Sequence, residues 1–170
     1  MNLILILLSI ISQISIYTHS VTDVNGVQKS LSSFSGKKIM LVNIATGSNR
    51  VNQLAGLQQL HNLYHDSLII IAFPSNSFGK ESRSNGQIKQ FCQNNYNAAF
   101  IIAQKKSVTS NDIQPIYSWL GNANQNGFSS INIISDYEKV LIDKYGDIIG
   151  VYGPTVNPTD ASIINAITNN

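Results

Sequence analysis

The chain has 170 residues, 43% hydrophobic and 12% charged, with eleven Lys and Arg against nine Asp and Glu, for a net charge of +2. That length supports one domain with a substantial core, and the sparse, dispersed charge with no basic cluster interleaved with aromatics argues against nucleic-acid binding. A single cysteine, Cys92, excludes an intrachain disulfide and any redox cycle that needs two thiols in one chain.

The first segment, "MNLILILLSIISQISIY", is apolar from Leu3 to Leu8 and again at Ile10, Ile11 and Ile14, with no charged side chain. It is too short for a comfortable bilayer span of ~20 residues and fits the apolar core of a secretory leader. Residues 1–14 are therefore expected to be a signal peptide, with cleavage between about residues 12 and 20. Ser12, Ser15 and Ser20 are each small enough to precede the cut. The chain would then be exported, periplasmic or secreted, with no stable membrane span in its mature form. The alternative is a buried N-terminal strand or helix.

Next, "VTDVNGVQKSLSSFSG" carries an Asn25-Gly26 turn signal and predicts a short hairpin. "IMLVNIA" is a branched apolar run suited to a strand buried on both faces. Leu54, Leu57, Leu60 and Tyr64 then recur at helical spacing from Gln53 onward. "SLIIIAFP" predicts a second buried strand ending at Pro74, and "QIKQFCQNNY" a second helix with Ile88, Phe91, Cys92 and Tyr96 on one side. "AAFIIAQ" suggests a third strand, and Pro115 opens a short helix, "PIYSWL". "KVLIDKYGDIIGVYG" predicts an antiparallel hairpin around Tyr145-Gly146-Asp147, and Pro158 to Ile167 a final helix with Thr159 or Asp160 near its start. Strands alternating with helices and closing on a hairpin imply an α/β sandwich with a mixed sheet.

The loop after the first buried strand, "GSNR", sits at a helix start. Its backbone N–H groups and Arg50 could hold an anion; the simpler expectation is an ordinary cap, with Ser48 or Asn49 serving the free N–H groups. His61 and His65 stand one helical turn apart, which suits a metal only with a third ligand from elsewhere. His65-Asp66 near a helix C-terminus is more simply a favourable charge arrangement, and no metal is predicted. Ser48 lacks the Gly-x-Ser-x-Gly frame of a hydrolase nucleophile.

Four pieces in order, "SIYTHSVTDVNGVQKSLSSFSGKKIMLVNIATGS", "AGLQQLHNLYHDSLIIIAFPSNSFGKE", "QIKQFCQNNYNAAF" and "DYEKVLIDKYGDIIGVYGPTVNP", resemble the glutathione peroxidases. The most specific are the strand ending in Val-Asn, the Phe-Pro-x-Asn-x-Phe-Gly loop from Phe73 to Gly79, and the Lys-x-Leu-Ile-Asp hairpin. The resemblance covers residues 15–170 and implies a thioredoxin-like three-layer sandwich with a central mixed sheet flanked by helices. It puts the peroxidatic Cys or selenocysteine position at Ser48, the Gln position at Ser77, and the Trp-Asn pair at Ser135 and Asp136. All four positions thus differ from the family's catalytic set, and the family's Phe-Pro step after the second helix is Phe100-Ile101 here.

Peroxide reduction needs a thiolate or selenolate that attacks the O–O bond and becomes a sulfenic or selenenic acid. A serine hydroxyl is scarcely ionised at neutral pH and has no comparable oxidised state. Cys92 lies close to where many family members carry a resolving cysteine, and reads either as a buried structural thiol or as a redox group. Two functions follow from the resemblance. One is a catalytically impaired binding module that takes a small thiol, peptide or anion near Ser48 and Arg50. The other is a peroxidase of the oxidative-stress response, reducing hydroperoxides with glutathione or thioredoxin through Cys92 or an atypical mechanism. Neither requires a bound cofactor.

Overall fold

The computed structural model describes residues 13–169. Most of the expected leader lies outside the described residues. Its last two positions, Gln13 and Ile14, are packed onto the domain: the Ile14 N–H donates to Gln125 O at 2.9 Å, and Trp119 Nε1 donates to Ile14 O at 2.7 Å. No helix among the described residues is long and apolar enough to cross a membrane.

Ser20–Thr22 (β1) and Gln28–Ser30 (β2) form the expected hairpin, with Gly26 at φ +83 in its turn. The main sheet contains Lys38–Ile44 (β3), Leu68–Pro74 (β4), Ile101–Ile102 (β5), Lys139–Ile142 (β6) and Ile148–Tyr152 (β7), in the order β5-β4-β3-β6-β7. β3, β4 and β5 run parallel, whereas β6 and β7 are antiparallel to their neighbours. β3 is buried along its whole length, and its pleat divides the interior in two. Ile39 and Leu41 join one core with Phe73, Tyr117 and Trp119; Met40, Val42 and Ile44 join the other with Leu54, Leu57, Ile88 and Ile163. The helices Gln53–Tyr64 (α1), Asn85–Tyr96 (α2) and Ala161–Thr168 (α5) cover the second face, and Pro115–Leu120 (α3) covers the first. The result is the thioredoxin-like three-layer sandwich.

Two expectations are corrected and one short helix is added. The third strand is only two residues long; its outer edge bonds the first hairpin, Val24 N–H donating to Ile102 O and Gln104 N–H to Thr22 O, each at 2.9 Å, while Ala103 N–H still donates to Ala72 O of β4 at 2.8 Å. The final helix begins at Ala161 rather than Pro158; Asp160 caps it by accepting from Ser162 N–H at 2.9 Å. A short helix, Ala123–Asn126 (α4), follows α3 without an apolar repeat to announce it.

Candidate functional site

The site grows from the carboxyl end of β3, the edge at which open α/β sheets bind ligands. Asn43, the last polar residue of that strand, clamps the segment before β6. Its Nδ2 donates to Ser135 O at 2.8 Å, and its Oδ1 accepts from Glu138 N–H at 3.0 Å. Tyr137, between these contacts, adopts φ +66, an unfavourable backbone for a bulky side chain. Complete burial of Tyr137 and the 2.7 Å bond from its N–H to Asn43 O hold it there. These contacts fix Ser135 and Asp136 over the end of β3.

The loop that carries Ser48 is fixed from the other side by Glu81. This fully buried carboxylate accepts from Thr46 N–H at 2.6 Å, Thr46 Oγ1 at 2.8 Å and Arg83 N–H at 3.1 Å. Gly47 N–H donates to Lys80 O at 3.0 Å, and a Cβ on Gly47 would lie 2.6 Å from that same oxygen. Only glycine permits the approach. The expected helix cap is not formed. Ser48 Oγ accepts from Arg50 N–H at 3.0 Å inside a tight turn, and α1 starts later, after Asn52, which makes no side-chain cap bond.

These constraints bring Ser48, Ser135 and Asp136 together with Arg50 and Lys80. Arg50 Nη1 meets Asp136 Oδ1 at 3.1 Å and Ser135 Oγ at 3.4 Å; Lys80 Nζ approaches the same carboxylate oxygen at 3.6 Å, and Ser135 Oγ donates to it at 3.1 Å. Asp136 is 1% exposed. Burial alone would raise its pKa, but the Ser48 and Ser135 hydroxyls and the Lys80 charge outweigh burial and hold it below the usual carboxylate value. Asp136 Oδ2 has no hydrogen-bond partner of regular geometry. The corner is therefore an ion-pair cluster of two cations on one carboxylate, with hydroxyls between them.

Beside it, a cleft of about 310 Å³ is lined by Asn49, Arg50, Asn52, Gln53, Pro154, Thr155 and Asn157. Gln53 Nε2 donates to Pro154 O at 2.7 Å, which fixes the orientation of the amide. Its Oε1 is left without a partner. Lys139 braces the cleft's far wall from within the core. Its ammonium donates to Tyr137 O and Val156 O, and burial, with some help from Arg50 and against the pull of Glu138, lowers its pKa to about 8.

Ser77 does not join the corner. Its hydroxyl bonds Ser75, Ser107 and Val108 N–H instead, at 2.9, 3.1 and 3.1 Å. Cys92, on α2, is fully buried in the second core. Burial, reinforced by the Glu81 charge and only partly offset by Arg83, pushes its thiol up to about 12. His61 and His65 place their rings 5.9 Å apart, and no group of three or more metal-binding side chains occurs among the described residues.

A model of the glutathione peroxidase family matches residues 16–121. The chain belongs to the glutathione peroxidase family. It is 31% identical to the glutathione peroxidase homologue of Bacillus subtilis over 148 residues, spanning 86% of this chain and 92% of that protein. The glutathione peroxidase of Lactococcus lactis is 32% identical over 146 residues, 85% of this chain and 92% of its own. Among solved structures, Trgpx in its apo form superposes with a TM-score of 0.68 at 26% identity, covering 92% of this chain and 97% of that one. A thioredoxin-family thiol:disulfide interchange protein from Chlorobium tepidum shares the fold, with a TM-score of 0.64 at 15% identity over 92% of this chain and 97% of that one.

Within this family framework, sequence reasoning missed Lys80, Glu81, Asn43 and Gln53. The first two stand in the quoted loop "SNSFGKE" and Asn43 in "LVN". Their presence was visible, but the convergence of segments 35 to 95 positions apart was not.

Proposed function

We propose that this member of the family is catalytically silent toward peroxides and uses the corner around Ser48 as a binding site. One observation carries the reading: the corner presents only oxygen atoms and paired charges, while the chain's sole thiol is fully buried with its pKa raised. Attack on an O–O bond needs an accessible, ionised sulfur or selenium. Ser48 supplies neither, and its oxygen already accepts from Arg50 N–H.

The ligand is a small polar molecule that carries an anionic oxygen, such as a carboxylate on a peptide or thiol. Arg50 bonds Ser135 and Asp136 through Nη1, leaving the rest of its planar fork for a carboxylate.

The test is peroxide consumption by the purified protein, with glutathione and, separately, with thioredoxin and its reductase. No turnover above the protein-free rate is expected. Turnover that disappears in Cys92→Ser would establish a peroxidase working through Cys92 and end this reading.

The same proposal takes the protein as exported, with cleavage at the early end of the window. Ile16 is fully buried, and Gln13 Nε2 donates to Asn126 O at 2.9 Å. A cut after Ser20 would strip both from the domain, whereas one after Ser12 would keep them. Mass spectrometry of the secreted chain decides it: a mature N-terminus at Gln13 is expected, and one at Val21 would contradict it.

A further inference from the structure

We infer that the cleft between the Asn76-Ser77 turn and the 105–110 segment is a binding site for a tetrahedral oxyanion, either free phosphate or the phosphate group of a small monoester. The cleft holds about 280 Å³ and is lined by Asn76, Ser77, Lys105, Lys106, Ser107 and Ser110. It lies apart from the Ser48 corner and stands or falls independently of the function proposed there.

The donor character of the lining carries the inference. Ser75, Ser77, Ser107 and Ser110 form a chain of hydroxyls with steps of 2.9, 3.1 and 3.0 Å. Ser75 Oγ donates to Ser77 Oγ, which also accepts from Val108 N–H at 3.1 Å, and Ser107 Oγ accepts from Ser110 N–H at 3.0 Å and Thr109 N–H at 3.3 Å. The oxygens of Ser77 and Ser107 are thus each engaged by two donors within the protein, and the exposed hydroxyl of Ser110, at the end of the chain, can turn its proton to a ligand in the cleft.

The remaining lining groups have the same polarity. Asn76 Oδ1 accepts from Glu81 N–H at 2.9 Å, which fixes its amide and leaves Nδ2 as a donor. Lys105 uses one N–H on Arg83 O at 2.6 Å and keeps two; Lys106 meets only the largely exposed Asp112 carboxylate, at 3.4 Å. A solvent-exposed pair of that kind is worth little and yields readily to a better anion. The cleft thus offers hydroxyl, amide and ammonium donors from several directions, with two positive charges. Ammonium groups act as point charges, unlike the planar fork of arginine that matches a carboxylate, and no arginine lines the cleft. That set suits the tetrahedral oxygens of a phosphate.

The experiment is an NMR titration of the 15N-labelled protein at constant ionic strength with inorganic phosphate, phenyl phosphate and acetate in turn. Saturable shifts are expected at the Val108, Thr109 and Ser110 amides with both phosphates, and weaker, non-saturating ones with acetate. The Lys105→Gln, Lys106→Gln double variant should weaken phosphate binding roughly tenfold or more, the scale of lost charge-assisted bonds. Ser110→Ala, which leaves the Lys105–Arg83 bond intact, should weaken it several-fold, and Lys89→Gln on another face should leave it unchanged. Tighter binding of phenyl phosphate identifies a monoester as the ligand, and equal affinity identifies free phosphate. Shifts that fail to saturate, that persist unchanged in Ser110→Ala and in the double variant, or that acetate reproduces with equal affinity overturn the inference.

Discussion

The corner at Ser48 and the core around Cys92 divide between them what thiol chemistry requires in one place. The corner has the setting: a loop held by Glu81 and two cations, Arg50 and Lys80, converging at the end of β3. It has oxygen where sulfur is needed. The core has the sulfur but denies it exposure and ionisation. In the corner, positive charge that would stabilise a thiolate is turned onto Asp136 instead. Position, charge and element must coincide for reactivity, and here they are separated.

The largest effect is expected where the corner's frame is cut. Glu81→Ala removes a fully buried carboxylate and strands Thr46 and Arg83 N–H groups. It should cost about 3–5 kcal/mol in urea unfolding, the range for breaking a buried charged network. A loss within about 0.5 kcal/mol, as for an ordinary surface change, would mean that Glu81 does not hold the loop.

A smaller loss is expected from the core. Cys92→Ser puts a hydroxyl into an apolar cluster and should cost about 1–3 kcal/mol, the penalty for an unsatisfied buried polar group. Unchanged stability would show that the thiol site is wetter than its burial indicates.

Acid separates the regions more gently. Because Asp136 is held below the ordinary carboxylate value of 3.8, its contribution is fully present above that value and is lost as pH falls through its lowered pKa. Asp136→Asn should remove this part of the acid dependence, measured as the difference in urea midpoint between about pH 5 and about pH 2, which together span the carboxylate range. An identical acid profile in the variant would place the charge pairing elsewhere.

The smallest effect is expected from restoring sulfur alone. Ser48→Cys puts a thiol beside Arg50 and Lys80, yet Asp136 still takes their charge and Ser77 still faces Ser107. Peroxide turnover should stay near the protein-free rate. Substantial turnover would show that the element at residue 48 was the whole deficit.

Most of this fold was legible in the sequence because its signals are local. The branched runs of β3 and β4, the Leu54–Leu57–Leu60 spacing of α1, the Asn25-Gly26 turn and Pro115 at the start of α3 each act within a few residues. β5 was overestimated because its apolar run says nothing of how few of its residues pair regularly, nor of the hairpin that bonds its outer edge. The site was legible only in part. The resemblance to the glutathione peroxidases pointed to Ser48, Ser135 and Asp136, which do meet. It also grouped Ser77 with them as the Gln position; the Ser77 hydroxyl bonds that of Ser107, thirty positions along, and makes no bond to the corner. Lys80 and Glu81 read as an ordinary charged loop until the fold brings one to Asp136 and buries the other against Thr46.

The separation of setting from sulfur is tested most directly by the oxidation state of Cys92 itself. The folded protein is exposed to hydrogen peroxide, trapped with a sulfenic-acid reagent and analysed by mass spectrometry, with a urea-unfolded sample alongside. The account predicts an unlabelled Cys92 in the folded protein and labelling only after unfolding. Rapid labelling of Cys92 in the folded protein, at a rate that matches peroxide consumption, would contradict it.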